Sequence, residues 1–254
     1  MYYILLFFLL ILVLISIHYY QVLNNKAKLL INPNLIILST NIIRFICSLL
    51  KLNSLIMFYY ANEKYKLLKI ENKSNEFKNG ICFYGDSLFT FWFDIKKSIK
   101  TQTNIFNSSF GGSTSYDLLL NIYKLCINFK PKIIFIHTGG NDYDTNIFLN
   151  NNQLIKNVIN NIKNIINICN NYNIKVIILL SPFAKNFTNK KKIYQIKLYN
   201  NIKKLPNCEI LDITNYKFKI KSYKFDNLHL NNLGYYELGY LINNFIKKNI
   251  KFII

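Results

Sequence analysis

From Ile81 onward the chain alternates short, almost wholly apolar runs with longer segments of helical spacing, and this restricts its fold more than any other feature. The runs are Ile81–Tyr84, Asn104–Phe106, Lys132–His137, Ile174–Leu180 and Cys208–Ile213. Their lengths suit strands, and several are too uniformly apolar to keep one face in water, which is the pattern of buried parallel strands. Between them, Leu118, Leu119, Ile122, Leu125 and Cys126 fall on one side of a helix, as do Ile155, Val158, Ile159, Ile162, Ile165 and Ile166. A last helix is predicted over Asn232–Lys248. Such alternation implies an α/β fold with three layers, α/β/α: a five-stranded parallel sheet covered by helices on both faces, with right-handed crossovers. Ligands of such sheets bind beyond the carboxyl ends of the strands. The loops that follow the strands are therefore where chemistry belongs.

Four of those loops are polar or glycine-bearing. Gly85, Asp86 and Ser87 follow the first strand, and "NSSFGGSTSYD", with Asn107, Gly111 and Gly112, follows the second. The third is followed by "TGGND", which carries Asn141 and Asp142, and the fifth by "FDNLHLNNLGY", with Asp226 and His229. Each has an ordinary structural explanation. Ser87 is a good helix N-cap, Gly111-Gly112 and Asn141-Asp142 suit turns or caps, and Asp226 with His229 could be a surface pair. Taken together they are also the parts of a serine hydrolase: a hydroxyl, a base, an acid to orient it and donors for an oxyanion.

The four blocks resemble those of the SGNH (GDSL-type) hydrolase superfamily. "GDSL" at Gly85–Leu88 is similar to its nucleophile block, "NSSFGGST" to its second block, with Gly112 at the last glycine, and "GGND" at Gly139–Asp142 to its third, with Asn141 at the functional place. "DNLHLN" resembles the final D-x-x-H block and supplies Asp226 and His229. The resemblance runs from Ile81 to about Tyr240 and implies a flavodoxin-like SGNH hydrolase fold, a family of esterases, lipases, lysophospholipases, carbohydrate deacetylases and some acyltransferases. Asn227 departs from the pattern, standing where glycine is common after the aspartate; this alters the turn and leaves the acid–base spacing intact.

On this reading Ser87 is the nucleophile, presented between a strand end and a helix start where backbone N–H groups favour negative charge. Gly85 permits the turn and Asp86 steadies the loop through backbone hydrogen bonds. His229 is the general base and Asp226, three residues earlier, orients it. The Ser87 N–H, the Gly112 N–H and the Asn141 side-chain amide form the oxyanion hole. Of the three histidines, His18 lies in an apolar N-terminal segment, and His137, in the third strand among apolar neighbours, is expected to hold a hydrogen-bonded supporting place. The scheme calls for no metal or organic cofactor. No G-x-S-x-G occurs, so the nucleophile elbow of the α/β-hydrolases is not the model.

The first residues belong to a different physical regime. "MYYILLFFLLILVLISIHYY" is almost continuously apolar from Tyr2 to Ile17. A membrane-spanning helix needs about 20 residues, a length reached if His18 to Leu23 lie at the interface, where Tyr19 and Tyr20 are at home. No Lys or Arg precedes the run and no small-residue cleavage site follows it, unlike a cleaved signal peptide. We therefore expect a transmembrane anchor at 1–23, an apolar, helical juxtamembrane segment and linker at 24–77, and the hydrolase domain at 78–254. Lys26, Lys28, Arg44 and Lys51 after the span place that domain on the cytoplasmic side, and the absence of plausible disulfide spacing among five cysteines agrees. Sequons at Asn72, Asn107 and Asn186 argue the other way. A second apolar stretch, 29–60, is broken by Pro33, Arg44 and Lys51, so that a second span and a helix lying on the membrane or packed on the domain both remain open.

Composition adds less. Half the chain is hydrophobic (51%), which permits a sizeable core. Lys and Arg outnumber Asp and Glu by 32 to 12, a net charge of +20. The basic residues are mostly lysines scattered through an Asn- and Ile-rich background rather than gathered into a nucleic-acid-reading module. The expected partners are a small-molecule or lipid ester and a membrane, with no specific nucleic acid. An acyltransferase of the same fold, or a non-catalytic binding protein that kept it, are the competing readings.

Overall fold

The computed structural model describes residues 53–72, 75–146, 149–224 and 226–250. Two compact units divide the chain, Met1–Ile56 and Met57–Ile254, and the second carries everything described below. In chain order its elements are α1 (Asn53–Glu71, which begins in the first unit), β1 (Ile81–Gly85), α2 (Ser87–Thr90), α3 (Ile95–Ser98), β2 (Ile105–Asn107), α4 (Ser115–Leu125), β3 (Ile133–His137), α5 (Gly140–Thr145), α6 (Asn151–Asn171), β4 (Lys175–Leu180), α7 (Asn189–Ile202), β5 (Glu209–Asp212) and α8 (Asn232–Asn249). All five expected strands form, each within one or two residues of its apolar run.

The strands make one parallel sheet in the order β2-β1-β3-β4-β5. Their uniform hydrophobicity follows from burial on both sides, and the two-residue period divides it between two cores. Cys82, Tyr84, Ile134, Ile136, Val176, Ile178 and Leu180 face one core, shared with Leu118 and Ile122 of α4, Val158, Ile162 and Ile165 of α6, and Leu198 of α7. Ile81, Phe83, Ile133, Phe135, Ile177 and Leu179 face the other, with Phe89, Trp92, Ile95 of α3, and Leu238 and Ile242 of α8. The apolar face predicted for α6 is buried throughout, extended by Leu154 and Cys169. Cys82, Cys126 and Cys169 are free thiols buried in the first core, where they pack as small hydrophobes.

The expected domain boundary at 78 moves. Ala61 and Leu68 of α1 are fully buried in the same core as Phe77, and the Phe77 ring stacks on Phe106 at 4.4 Å. The seven-residue spacing of Ala61 and Leu68 puts both on one helix face, so this part of α1 belongs to the α/β unit, which starts at Met57. The anchor expected at 1–23, and most of the 29–60 stretch, lie outside the described residues. Among the described residues no helix is long and apolar enough to cross a membrane.

The strand order reverses between β1 and β3. The chain leaves β1 toward β2 on one side and returns to β3 on the other, which opens a crevice at the carboxyl ends of these two strands. β1 and β3 are buried at every position and pair from Ile81↔Ile133 to Gly85↔His137. Gly85 is required by this pairing rather than by turn geometry: a Cβ there would sit 2.4 Å from the His137 carbonyl oxygen. Because the obstructing atom is strand backbone, it cannot move aside as a side-chain tip could. Gly85→Ala should cost about 3 kcal/mol of stability, read as a lowered urea midpoint; an unchanged midpoint would refute this account of the strand pair.

Candidate active site

Residues after β1 divide two jobs, capping and nucleophile, and the loop-steadying place expected of Asp86 is that of the cap. The N-cap of α2 is Asp86, with extended backbone (φ −92°, ψ −155°), and its Oδ1 accepts the Leu88 N–H at 3.0 Å. Ser87 is the first helical residue, so its hydroxyl is not used in capping. α2 is a single turn, which makes its contribution one of individual N–H groups rather than of a long-helix field.

Ser87 Oγ lies 3.0 Å from His229 Nε2, across 142 residues of sequence. His229 Nδ1 in turn lies 2.5 Å from Asp226 Oδ2. Several backbone contacts fix this return loop. Asp226 Oδ1 accepts the N–H groups of Leu228 and His229, both at 3.0 Å. The Asp226 carbonyl accepts from Asn186 Nδ2 at 3.1 Å, and the Asn227 carbonyl accepts the Lys185 N–H at 3.0 Å. Asn227 has φ 53°, the left-handed region that asparagine tolerates better than other non-glycine residues. The departure from glycine at this position therefore leaves the turn in place. Burial works to raise the Asp226 pKa, but the His229 ring and the two backbone N–H groups outweigh it and hold the carboxyl down at about 2.

The glycine loop after β2 lies against the nucleophile. A Cβ on Gly111 would be 3.9 Å from Ser87 Cβ, and Gly112 adopts φ 84°. Buried serines tie this loop to β1: Ser109 Oγ donates to the Phe83 carbonyl and Ser113 Oγ to the Gly85 carbonyl, each at 3.1 Å. Asn141, near the start of α5, donates from Nδ2 to the Ser113 carbonyl at 3.0 Å. One amide hydrogen is thereby engaged and the amide plane fixed, while a second hydrogen stays available.

Two supporting contacts hold the site, and the partners of neither were legible in the sequence. The Asp142 carboxylate accepts from both the backbone N–H (3.0 Å) and the hydroxyl (2.6 Å) of Ser115, clamping α5 to the start of α4 and with it the Asn141 and Gly112 loops. Burial of Asp142 raises its pKa to about 6 despite these bonds. The second contact is His137, whose Nδ1 is 2.9 Å from Asp86 Oδ1 and whose Nε2 is 3.0 Å from Ser181 Oγ. His137 thus takes the supporting place expected of it. Burial opposes the Asp86 charge, yet His137 and the Leu88 N–H keep that carboxyl below its usual range. The available signal was a titratable residue closing an otherwise apolar strand. Among the described residues no cluster of His, Cys, Asp or Glu could hold a metal ion.

The model of the GDSL-like lipase/acylhydrolase family matches residues 81–242, a span that contains Ser87, Gly112, Asn141, Asp226 and His229. The chain belongs to that family. As a GDSL-like acylhydrolase it is a hydrolase of ester bonds. Its fold is that of solved relatives. A GDSL-like lipase from Bacteroides thetaiotaomicron VPI-5482 is 21% identical with a TM-score of 0.57, covering 75% of this chain and 100% of its own. A lipase/acylhydrolase from Enterococcus faecalis is 20% identical with a TM-score of 0.55 (68% and 97% covered). The esterase EstA from Pseudoalteromonas sp. is 18% identical with a TM-score of 0.51 (68% and 97%). No curated protein matches the sequence.

The depressed carboxyl in this GDSL-like hydrolase has a measurable consequence. Because the folded pKa of Asp226 is about 2 against an ordinary 3.8, its stabilising contribution is complete above pH 4 and is lost as pH falls toward 2. Asp226→Asn should lower stability by about 1–2 kcal/mol at pH 7, and the gap to wild type should close on acidification from pH 4 to 2. A gap that stays constant in urea titrations across that range would contradict the pairing.

Proposed function

We propose that the chain hydrolyses acyl esters through an acyl-Ser87 intermediate. One observation carries this: Ser87 Oγ, His229 and Asp226 form a continuous hydrogen-bonded relay, with 3.0 Å between hydroxyl and imidazole. His229 Nε2 takes the Ser87 proton as Oγ bonds to the ester carbonyl carbon. The carbonyl oxygen becomes an oxyanion, stabilised by the Ser87 and Gly112 N–H groups and the free amide hydrogen of Asn141. As the tetrahedral intermediate collapses, the imidazolium gives its proton to the departing alcohol, leaving the acyl group on Ser87. Water then attacks that acyl group while His229 takes its proton. A second tetrahedral intermediate releases the acid, and the proton passes back to Ser87. Asp226 keeps Nδ1 protonated and offsets the imidazolium charge.

The His229 side chain is 20% exposed, so water can approach the base, which supports hydrolysis as the fate of the acyl group. In p-nitrophenyl acetate with an added acceptor alcohol, free acetate should dominate over acetylated alcohol; the reverse would make the chain an acyltransferase. The apolar run from Tyr2 to Ile17 supports a single-pass anchor at 1–23, and Lys26, Lys28, Arg44 and Lys51 after it support a catalytic unit on the cytoplasmic side, which brings lipid or membrane-proximal O-acetylated esters within reach. Carbonate extraction of membranes tests the anchor, and protease protection its sidedness.

The Pseudoalteromonas esterase was solved inhibited by monoethylphosphonate, and phosphonates report directly on the nucleophile. A fluorophosphonate probe should label wild type and not Ser87→Ala. Ester turnover should fall by about 10⁴–10⁶ in Ser87→Ala and His229→Ala and by about 10²–10³ in Asn141→Ala. Undiminished labelling of Ser87→Ala would place the nucleophile elsewhere.

A further inference from the structure

Lys224 stands two residues before Asp226, and its backbone N–H donates to the His229 carbonyl at 2.8 Å. Its ammonium lies 4.6 Å from the centre of the Phe91 ring and 6.0 Å from that of Phe93. Phe91 meets the His229 imidazole edge-on, with ring centres 4.8 Å apart and planes at 87°. A positive charge is thus held one ring away from the catalytic base. Among the described residues the Lys224 ammonium has no hydrogen-bond acceptor and no ion-pair partner. The nearby Asp226 carboxylate is committed to His229 and Leu228. The aromatic faces attract the cation but accept few of its three N–H bonds. Burial pulls the ammonium partly out of water, which works against its charge. The Asp226 carboxylate acts on this cation only through its field, so among the described residues the ammonium keeps N–H groups with no acceptor, ordered by two rings and able to meet an anion from outside.

The side of the ester that would supply it follows from the chemistry. His229 must reach the leaving oxygen to protonate it, so groups packed on its ring border the alcohol portion. We propose that Lys224, over Phe91 and Phe93, recognises a negatively charged group, carboxylate or phosphate, on an apolar alcohol portion of the ester. This rests on the acyl-Ser87 reading and adds a substrate class to it. The net charge of +20 draws anionic substrates toward the molecule, and Lys224 gives that attraction a fixed address.

The test compares esters that share an acetyl group and differ in charge on a rigid alcohol: 4-acetoxybenzoate, 4-acetoxyphenyl phosphate and the neutral 4-acetoxybenzamide. The readout is the ratio of kcat/KM for each anion to that for the amide, which does not depend on the folded fraction of a variant. In wild type the ratio should be about five to ten, as one partly desolvated ion pair provides, expressed mainly in KM and shrinking with added salt. Lys224→Met should bring it to about one, Lys224→Glu should invert it, and Lys224→Arg should retain it, consistent with loss or retention of a single ion pair. The better of the two anions identifies the group recognised. A wild-type ratio of one for both anions, or a preference that survives in Lys224→Met, overturns the assignment. Turnover of all three esters no faster than by Ser87→Ala would instead defeat the acyl-Ser87 reading, and this assignment with it.

Discussion

Everything at the catalytic edge depends on the parallel pairing of β1 with β3. It brings Gly85 level with His137, so that the loops leaving both strands open from one rim. The fit is close enough that no side chain can stand at position 85. From that fixed point, Asp86 caps α2 and meets His137, while Ser87 meets His229. The carbonyls of Phe83 and Gly85 then anchor the glycine loop through Ser109 and Ser113. A slip of one residue in this register would exchange the faces of the whole strand and disperse these contacts.

The site contains two Asp–His–Ser sequences of hydrogen bonds, and they differ in setting. Asp86–His137–Ser181 is the more buried, and Ser181 Oγ is also 3.4 Å from the Tyr199 hydroxyl. Asp226–His229–Ser87 is half-open, and among the described residues its serine has no second side-chain partner. A nucleophile must meet both substrate and base, so the open relay suits chemistry and the closed one suits holding the loop that carries it. The two share the Asp86–Ser87 peptide. Rigidity on one side of that peptide thereby keeps the hydroxyl on the other within reach of its base.

Much of this was legible before any coordinates. The five apolar runs gave the strands because burial on both faces demands continuous hydrophobicity, and the Ile-rich face of α6 followed from its period. The Ser87, Gly112, Asn141, Asp226 and His229 blocks could be read because each is a polar interruption after a strand. The start of the α/β unit was misplaced because, among the described residues, α1 contributes only Ala61 and Leu68 as fully buried ones, too few to announce a core helix amid an apolar N-terminal region. The parts played by Asp142, Ser115 and Lys224 stayed hidden because their partners are distant in sequence, or are ring faces with no pattern of their own.

The sequence by itself determined the class of the fold, the order of its polar loops and the chemical types available at them, since hydropathy period and residue chemistry are local properties. The resemblance had named His229 for Ser87, but only the tertiary structure supplied the distances that make it so and gave His137 its partners, Asp86 and Ser181. Both His137 and His229 have a carboxylate within hydrogen-bond reach, and both carboxylates are held in their charged form. What separates them is the place each strand and loop takes around the sheet, and that is set by long-range packing rather than by any neighbour in the chain.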